Sequence, residues 1–136
     1  MKKSILIVDD DERLRELLKD FLTEKNLKIY LCEDFSEAKD ILSFIVFDLV
    51  ILDCHMPIMD GFSVAIQMRN IEERMSLART PIIALTANAV PETEEQSKRS
   101  GMDDYLTKPF TQAEIYARVS YWLDNKKRQE TSNPSQ

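Results

Sequence analysis

The stretch Leu49-Val50-Ile51-Leu52-Asp53-Cys54-His55-Met56-Pro57 runs four apolar residues into an acid and then into a turn. A carboxylate at the end of a buried strand is costly unless something there uses it. The same arrangement occurs earlier, where Ile5-Leu6-Ile7-Val8 ends in Asp9 and Asp10. Two strands that deliver acids to one edge of a sheet imply a shared acidic pocket.

On either side of this stretch, short apolar runs alternate with longer amphipathic ones, the pattern of a parallel sheet flanked by helices. Strands are expected at 4–8, 28–32, 48–53, 81–86 and 103–107. The clearest helix is 11–25, where Leu14, Leu17, Leu18, Phe21 and Leu22 share one face and Asp11 and Glu12 sit at the positive end of the macrodipole. A second helix, 36–44, is expected to start from Ser36 as N-cap, and a third follows Gly61. The last, 111–124, has Thr111 and Glu114 spaced as a capping box, with Ile115, Val119, Trp122 and Leu123 as its buried stripe. The segment 91–100 has no large apolar residue, so its helix is expected to be weakly anchored.

The chain has 136 residues, 43% of them apolar, enough for one domain with a real core. Residues 1–124 read as that domain and 125–136 as a polar tail or linker. The net charge of −6 argues against a nucleic-acid surface and against an anionic membrane as partner. No segment is apolar for long enough to span a membrane. Two cysteines, Cys32 and Cys54, imply no disulfide framework and fit a reducing, cytoplasmic setting. Cys54 reads as structural.

In an open α/β sheet, function gathers beyond the carboxyl ends of the strands. Asp9, Asp10, Asp53, Thr86 and Lys108 are all placed there. Crowded carboxylates raise one another's pKa unless a cation intervenes. Hard oxygen ligands without thiolates suit Mg²⁺, with Mn²⁺ as the alternative. Lys108 supplies positive charge opposite such a metal, and Thr86 a hydroxyl for a phosphoryl oxygen. Asp53 can then act as a nucleophile that becomes an aspartyl phosphate. Taken singly, Asp9 and Asp10 could be helix caps, Lys108 a surface lysine, Thr86 a plain strand end and Tyr105 simple packing. Together they favour a site.

Four short motifs carry a family resemblance: Val8-Asp9-Asp10; Asp53 with Met56-Pro57 and Met59-Asp60-Gly61; Leu85-Thr86-Ala87; and Lys108-Pro109-Phe110. In this order and spacing the chain resembles the receiver domain of two-component response regulators over about residues 4–124. The resemblance implies a flavodoxin-like (βα)5 sandwich, a five-stranded parallel sheet in order 2-1-3-4-5. It implies that Asp53 accepts a phosphoryl group from a phosphohistidine. Asp9, Asp10, Asp53 and the backbone carbonyl of His55 would hold Mg²⁺. Thr86 and Tyr105 would form the conformational switch, Lys108 would pair with the phosphoryl group, and His55 and Asn88 would border the site. The Lys108–Pro109 bond would be cis.

The partners implied are a histidine kinase and a histidine phosphotransfer protein. The stretches 53–61, 80–89 and 101–109 look like receivers of hybrid sensor kinases and phosphorelays. Such a domain is not a turnover enzyme; it promotes only its own phosphorylation and dephosphorylation. His55 is the only histidine and stands beside Asp53, so no autokinase histidine is expected within the chain. The twelve residues after Asp124 are too few for an effector domain. The rival is a phosphatase or phosphotransferase with a nucleophilic aspartate, as in the haloacid dehalogenase family. Those enzymes use an acid two places after the nucleophile, where this chain has His55.

Overall fold

The computed structural model describes residues 2–23, 26–55, 60–87 and 90–124. Strands β1 (Lys3–Val8), β2 (Leu27–Cys32), β3 (Leu49–Asp53), β4 (Ile82–Thr86) and β5 (Asp104–Thr107) alternate with helices α1 (Glu12–Phe21), α2 (Phe35–Leu42), α3 (Gly61–Arg74), α4 (Pro91–Arg99) and α5 (Gln112–Leu123). The sheet is parallel throughout, in order β2-β1-β3-β4-β5. This is the flavodoxin-like sandwich that the family resemblance implies. The expected strand ranges hold to within one residue at each end. Expectations for the tail at 125–136 fall outside the described residues.

Every residue of β3 and β4 is buried, as a central parallel strand covered on both faces requires. Alternate residues feed two cores. Leu6, Val8, Val50, Leu52, Ile82 and Ala84 pack with Ala38 of α2 and Phe62, Val64, Ala65 and Met68 of α3. Ile5, Ile7, Leu49, Ile51, Ile83 and Leu85 pack with Leu18 of α1 and Ile115 and Val119 of α5. Helices therefore cover both faces, and the strand ends emerge between them.

Three local expectations need correction. The N-cap of α2 is Asp34, which accepts from the Glu37 amide at 2.9 Å, so the helix starts before Ser36. Aspartate caps as well as serine, and the chain turns at the first one available. Leu17 is 41% exposed, because its part of α1 faces an open cleft rather than the sheet. Helix α1 also ends at Phe21, with Leu22 as its C-cap. At α5 the structure shows the expected Thr111–Glu114 capping box.

The C-terminal end of α4 is held by a polar clamp. Arg69 of α3 donates to the Gly101 carbonyl at 2.9 and 2.7 Å and to Asp103 at 2.8 Å, and Asp103 also accepts from the Ile82 amide. Gly101 has φ 98°, and a Cβ there would meet the Arg69 side chain at 2.8 Å. At its N-terminal end α4 has no side-chain cap, and Ser97 is its only buried residue.

Candidate functional site

Each functional side chain is carried to one edge by the end of a strand. Asp9 follows β1, Asp53 closes β3, Thr86 closes β4, and Lys108 follows β5. Thr86 is fully buried, and its carbonyl accepts from the Lys108 amide at 2.7 Å, which ties the start of the β5–α5 connection to β4. The Lys108–Pro109 bond is cis.

The structure brings three acids together: carboxylate oxygens of Asp9, Asp10 and Asp53 all lie within 4.8 Å of one another. Asp9 is fully buried, Asp53 is 4% exposed, and Asp10 opens to solvent. The Lys108 ammonium stands 3.3 Å from Asp53 Oδ1 and 3.5 Å from Asp9 Oδ2. Burial raises the Asp9 carboxyl to about 6 from its ordinary 3.8; the Asp53 charge pushes the same way, and the Asp11 amide and Lys108 pull against it. One lysine therefore does not offset the burial of this acid. The donor set is all oxygen, offers an exposed flank at Asp10, and suits a hard divalent cation that keeps part of its water.

His55 is exposed beside the acids. Its amide donates to Asp53 Oδ1 at 3.2 Å, and its ring meets Phe62 edge-on at 6.2 Å. Asn88 and Met56-Pro57-Ile58-Met59 lie outside the described residues. Cys54 is fully buried, with its amide on the Leu85 carbonyl and its carbonyl accepting from Gly61. Burial pushes its thiol up to about 12, as befits a structural cysteine.

Tyr105 pairs in register with Ala84, and Thr107 with Thr86, so Tyr105 and Thr86 share a face of the sheet. Tyr105 is half-buried and lines a cavity of about 170 Å³ with Glu94, Ser97 and Met102. A hydrogen bond to Glu94 of α4 raises its phenol above the usual value. The aromatic side chain is thus tied to the helix with the least apolar anchorage. Trp122, on α5, donates to Asp104 Oδ2 at 2.9 Å, next to Tyr105 and away from the acids.

Two residues at the site escape a reading of the sequence for acids and hydroxyls. Arg15 of α1 donates to the Asp9 carbonyl at 2.8 Å. Gly61 lets the start of α3 approach the Asp53 backbone, where an added Cβ would come to 2.2 Å from the Asp53 carbonyl oxygen. The position of Gly61 at a helix start hints at close packing; nothing local to Arg15 shows where it reaches.

Comparison with known proteins identifies the family and the fold. The response regulator receiver domain family matches residues 5–120. Protein PetR of Rhodobacter capsulatus is 36% identical over 130 residues, 96% of this chain and 52% of PetR. The chain spans about half the length of the curated relatives it matches. A two-component response regulator from Clostridium difficile superposes with TM-score 0.82 at 30% identity, covering 91% of this chain and 98% of the other. The receiver domain of a sensor histidine kinase from Pseudomonas aeruginosa, with magnesium coordinated in its active-site cleft, gives TM-score 0.79 at 31% identity, covering 92% and 100%.

Proposed function

The chain belongs to the response regulator receiver domain family of two-component signalling, and on that premise we propose that Asp53 is a phosphoryl acceptor whose modification is the signal. The observation that carries the reading is Lys108 within 3.3 and 3.5 Å of two members of a three-carboxylate cluster. The donor is a phosphohistidine on a histidine kinase or a phosphotransfer protein. An Asp53 carboxylate oxygen attacks phosphorus, the P–N bond breaks, and the leaving imidazole keeps its electron pair and takes a proton. Lys108 balances the charge gathered at the attacking acid.

Asp9, Asp10, Asp53 and the His55 carbonyl would hold Mg²⁺, or Mn²⁺, which when bound supplies charge neutralisation for the transferring group. An open cleft of about 390 Å³ adjoins Lys108 and is lined by Leu14, Leu17, Pro109 and Phe110. Because Lys108 belongs to both cleft and site, this is where a helix bearing the donor histidine would rest. Thr86 then moves toward the phosphoryl group and Tyr105 follows, shifting the surface of α4, β5 and α5. Inverting a population that is about 1% active takes about 5.5 kcal/mol.

The domain acts on its own carboxylate and not as a turnover enzyme, and we place it in the cytoplasm. No helix among the described residues is long and apolar enough to cross a membrane. The similar structures include both a response regulator and the receiver of a sensor kinase, so the hybrid-kinase style has no special support. Incubation with phosphoramidate, a small P–N donor, tests the reading. One phosphoryl group per chain is expected, only with Mg²⁺, and lost again on standing. Sustained turnover of p-nitrophenyl phosphate would instead favour the phosphatase rival.

A further inference from the structure

We propose that Arg15 is a positioning residue for the acidic pocket, setting its Mg²⁺ affinity through the main chain of Asp9. The proposal rests on the reading of the pocket as a Mg²⁺ site.

Asp9 is held at four atoms. Its amide donates to the Cys32 carbonyl at 3.1 Å, and its Oδ1 accepts from the Asp11 amide at 2.9 Å. Its Oδ2 faces Lys108 at 3.5 Å, and its carbonyl accepts from Arg15 Nη1 at 2.8 Å. The last contact differs in kind from the others. Pairing of β1 with both neighbours ends at Val8, so the Asp9 carbonyl lies beyond the ladder in a buried place. A buried carbonyl needs a donor, and Arg15 reaches back from α1 to supply it.

That carbonyl belongs to the planar peptide joining Asp9 to Asp10. Fixing its direction fixes where the Asp10 Cα stands and so constrains how the Asp10 side chain leaves the backbone. Arg15 therefore bears on the main chain that carries Asp9 and Asp10, through the Asp9 carbonyl. Partners that orient ligands in this way typically account for about 10- to 100-fold in metal affinity.

The sign of the effect separates positioning from charge. Deleting a cation near a cation site relieves repulsion and should tighten Mg²⁺ binding. Loss of positioning should weaken it. Arg15→Met keeps the apolar stem and removes the donors. Arg15→Gln is a second neutral variant, and Arg15→Lys tests rescue.

Mg²⁺ affinity is measured by calorimetry on wild type and all three variants, alongside urea unfolding of the metal-free proteins. The expected result is Mg²⁺ binding at least about tenfold weaker in Arg15→Met and Arg15→Gln, partly restored in Arg15→Lys. Labelling by acetyl phosphate should return near the wild-type rate at saturating Mg²⁺. Equal or tighter Mg²⁺ binding by a folded neutral variant overturns the proposal. So does failure of both neutral variants to fold, which would make Arg15 a structural residue. Absence of Mg²⁺ binding by the wild type would instead sink the underlying reading of the pocket.

Discussion

Replacing Gly61 by alanine should damage the proposed acceptor site from behind. The new Cβ would stand 2.2 Å from the Asp53 carbonyl oxygen, 2.9 Å from its carbon and 3.0 Å from Cys54 Cα, whereas ordinary contact begins at 3.4 Å. These are backbone atoms and cannot swing aside as a side-chain tip can. The first turn of α3 must therefore retreat from the end of β3, or Asp53 must move, by about 1 Å. The 3.1 Å bond from the Gly61 amide to the Cys54 carbonyl stretches with it.

Overpacking of this kind costs about 1–3 kcal/mol. A shift of about 1 Å at the proposed acceptor carboxylate can lower the phosphorylation rate by about a hundredfold. Urea unfolding reads the first effect, and the time course of labelling by acetyl phosphate with Mg²⁺ reads the second. Gly101→Ala is the control. Its φ of 98° makes alanine unfavourable too, but the nearest atoms belong to the Arg69 side chain, which pairs with Asp103 and not with Asp9, Asp10 or Asp53. It should lose stability and keep its labelling rate. A Gly61→Ala protein with wild-type stability and labelling would refute the reasoning, and equal slowing in both variants would reduce it to general destabilisation.

Lys108→Met removes the cation facing Asp53 and Asp9, so labelling at saturating Mg²⁺ should fall by about 10²-fold while Mg²⁺ binding is retained or tightened; a normal labelling rate would remove Lys108 from the chemistry. In hydrogen exchange, amides late in α4 should exchange at least about tenfold faster than those around Leu18, because α4 buries only Ser97 whereas α1 and its C-cap bury Leu18 and Leu22. Equal protection would show that the polar clamp on Gly101 suffices. Cys32 and Cys54 are fully buried, with thiols raised by burial from 9.0 to about 12. The folded state holds these protons more tightly than the unfolded one, so their contribution to stability is full below pH 9 and is lost as pH rises toward 12. Chemical unfolding across that range checks the sign, and stability unchanged from pH 9 to 11 would contradict it.

The central strands were legible because a parallel sheet covered on both faces demands continuous apolar runs, and those of β1, β3 and β4 end where the pocket begins. That same ending exposed Asp9, Asp53 and Thr86 as edge residues. Other features depend on what lies across space. Ser36 and Asp34 are both good caps, and only the path of the chain out of β2 selects Asp34. Leu17 repeats at helical spacing with Leu14 and Leu18, yet its part of α1 lines an open cleft. Arg15 reads as one more charge on a solvated helix until the Asp9 carbonyl is seen beneath it, and the Arg69 clamp joins residues more than thirty positions apart.

The most direct test of the account is to locate the phosphoryl group. Wild-type protein is incubated with acetyl phosphate and Mg²⁺, reduced with borohydride to trap acyl phosphate, and mapped by peptide mass spectrometry, with Asp53→Asn in parallel. Reduction is expected at residue 53 in the wild type and nowhere in the variant. Labelling elsewhere in the wild type, or Mg²⁺-dependent labelling of Asp53→Asn at the wild-type rate, would contradict it.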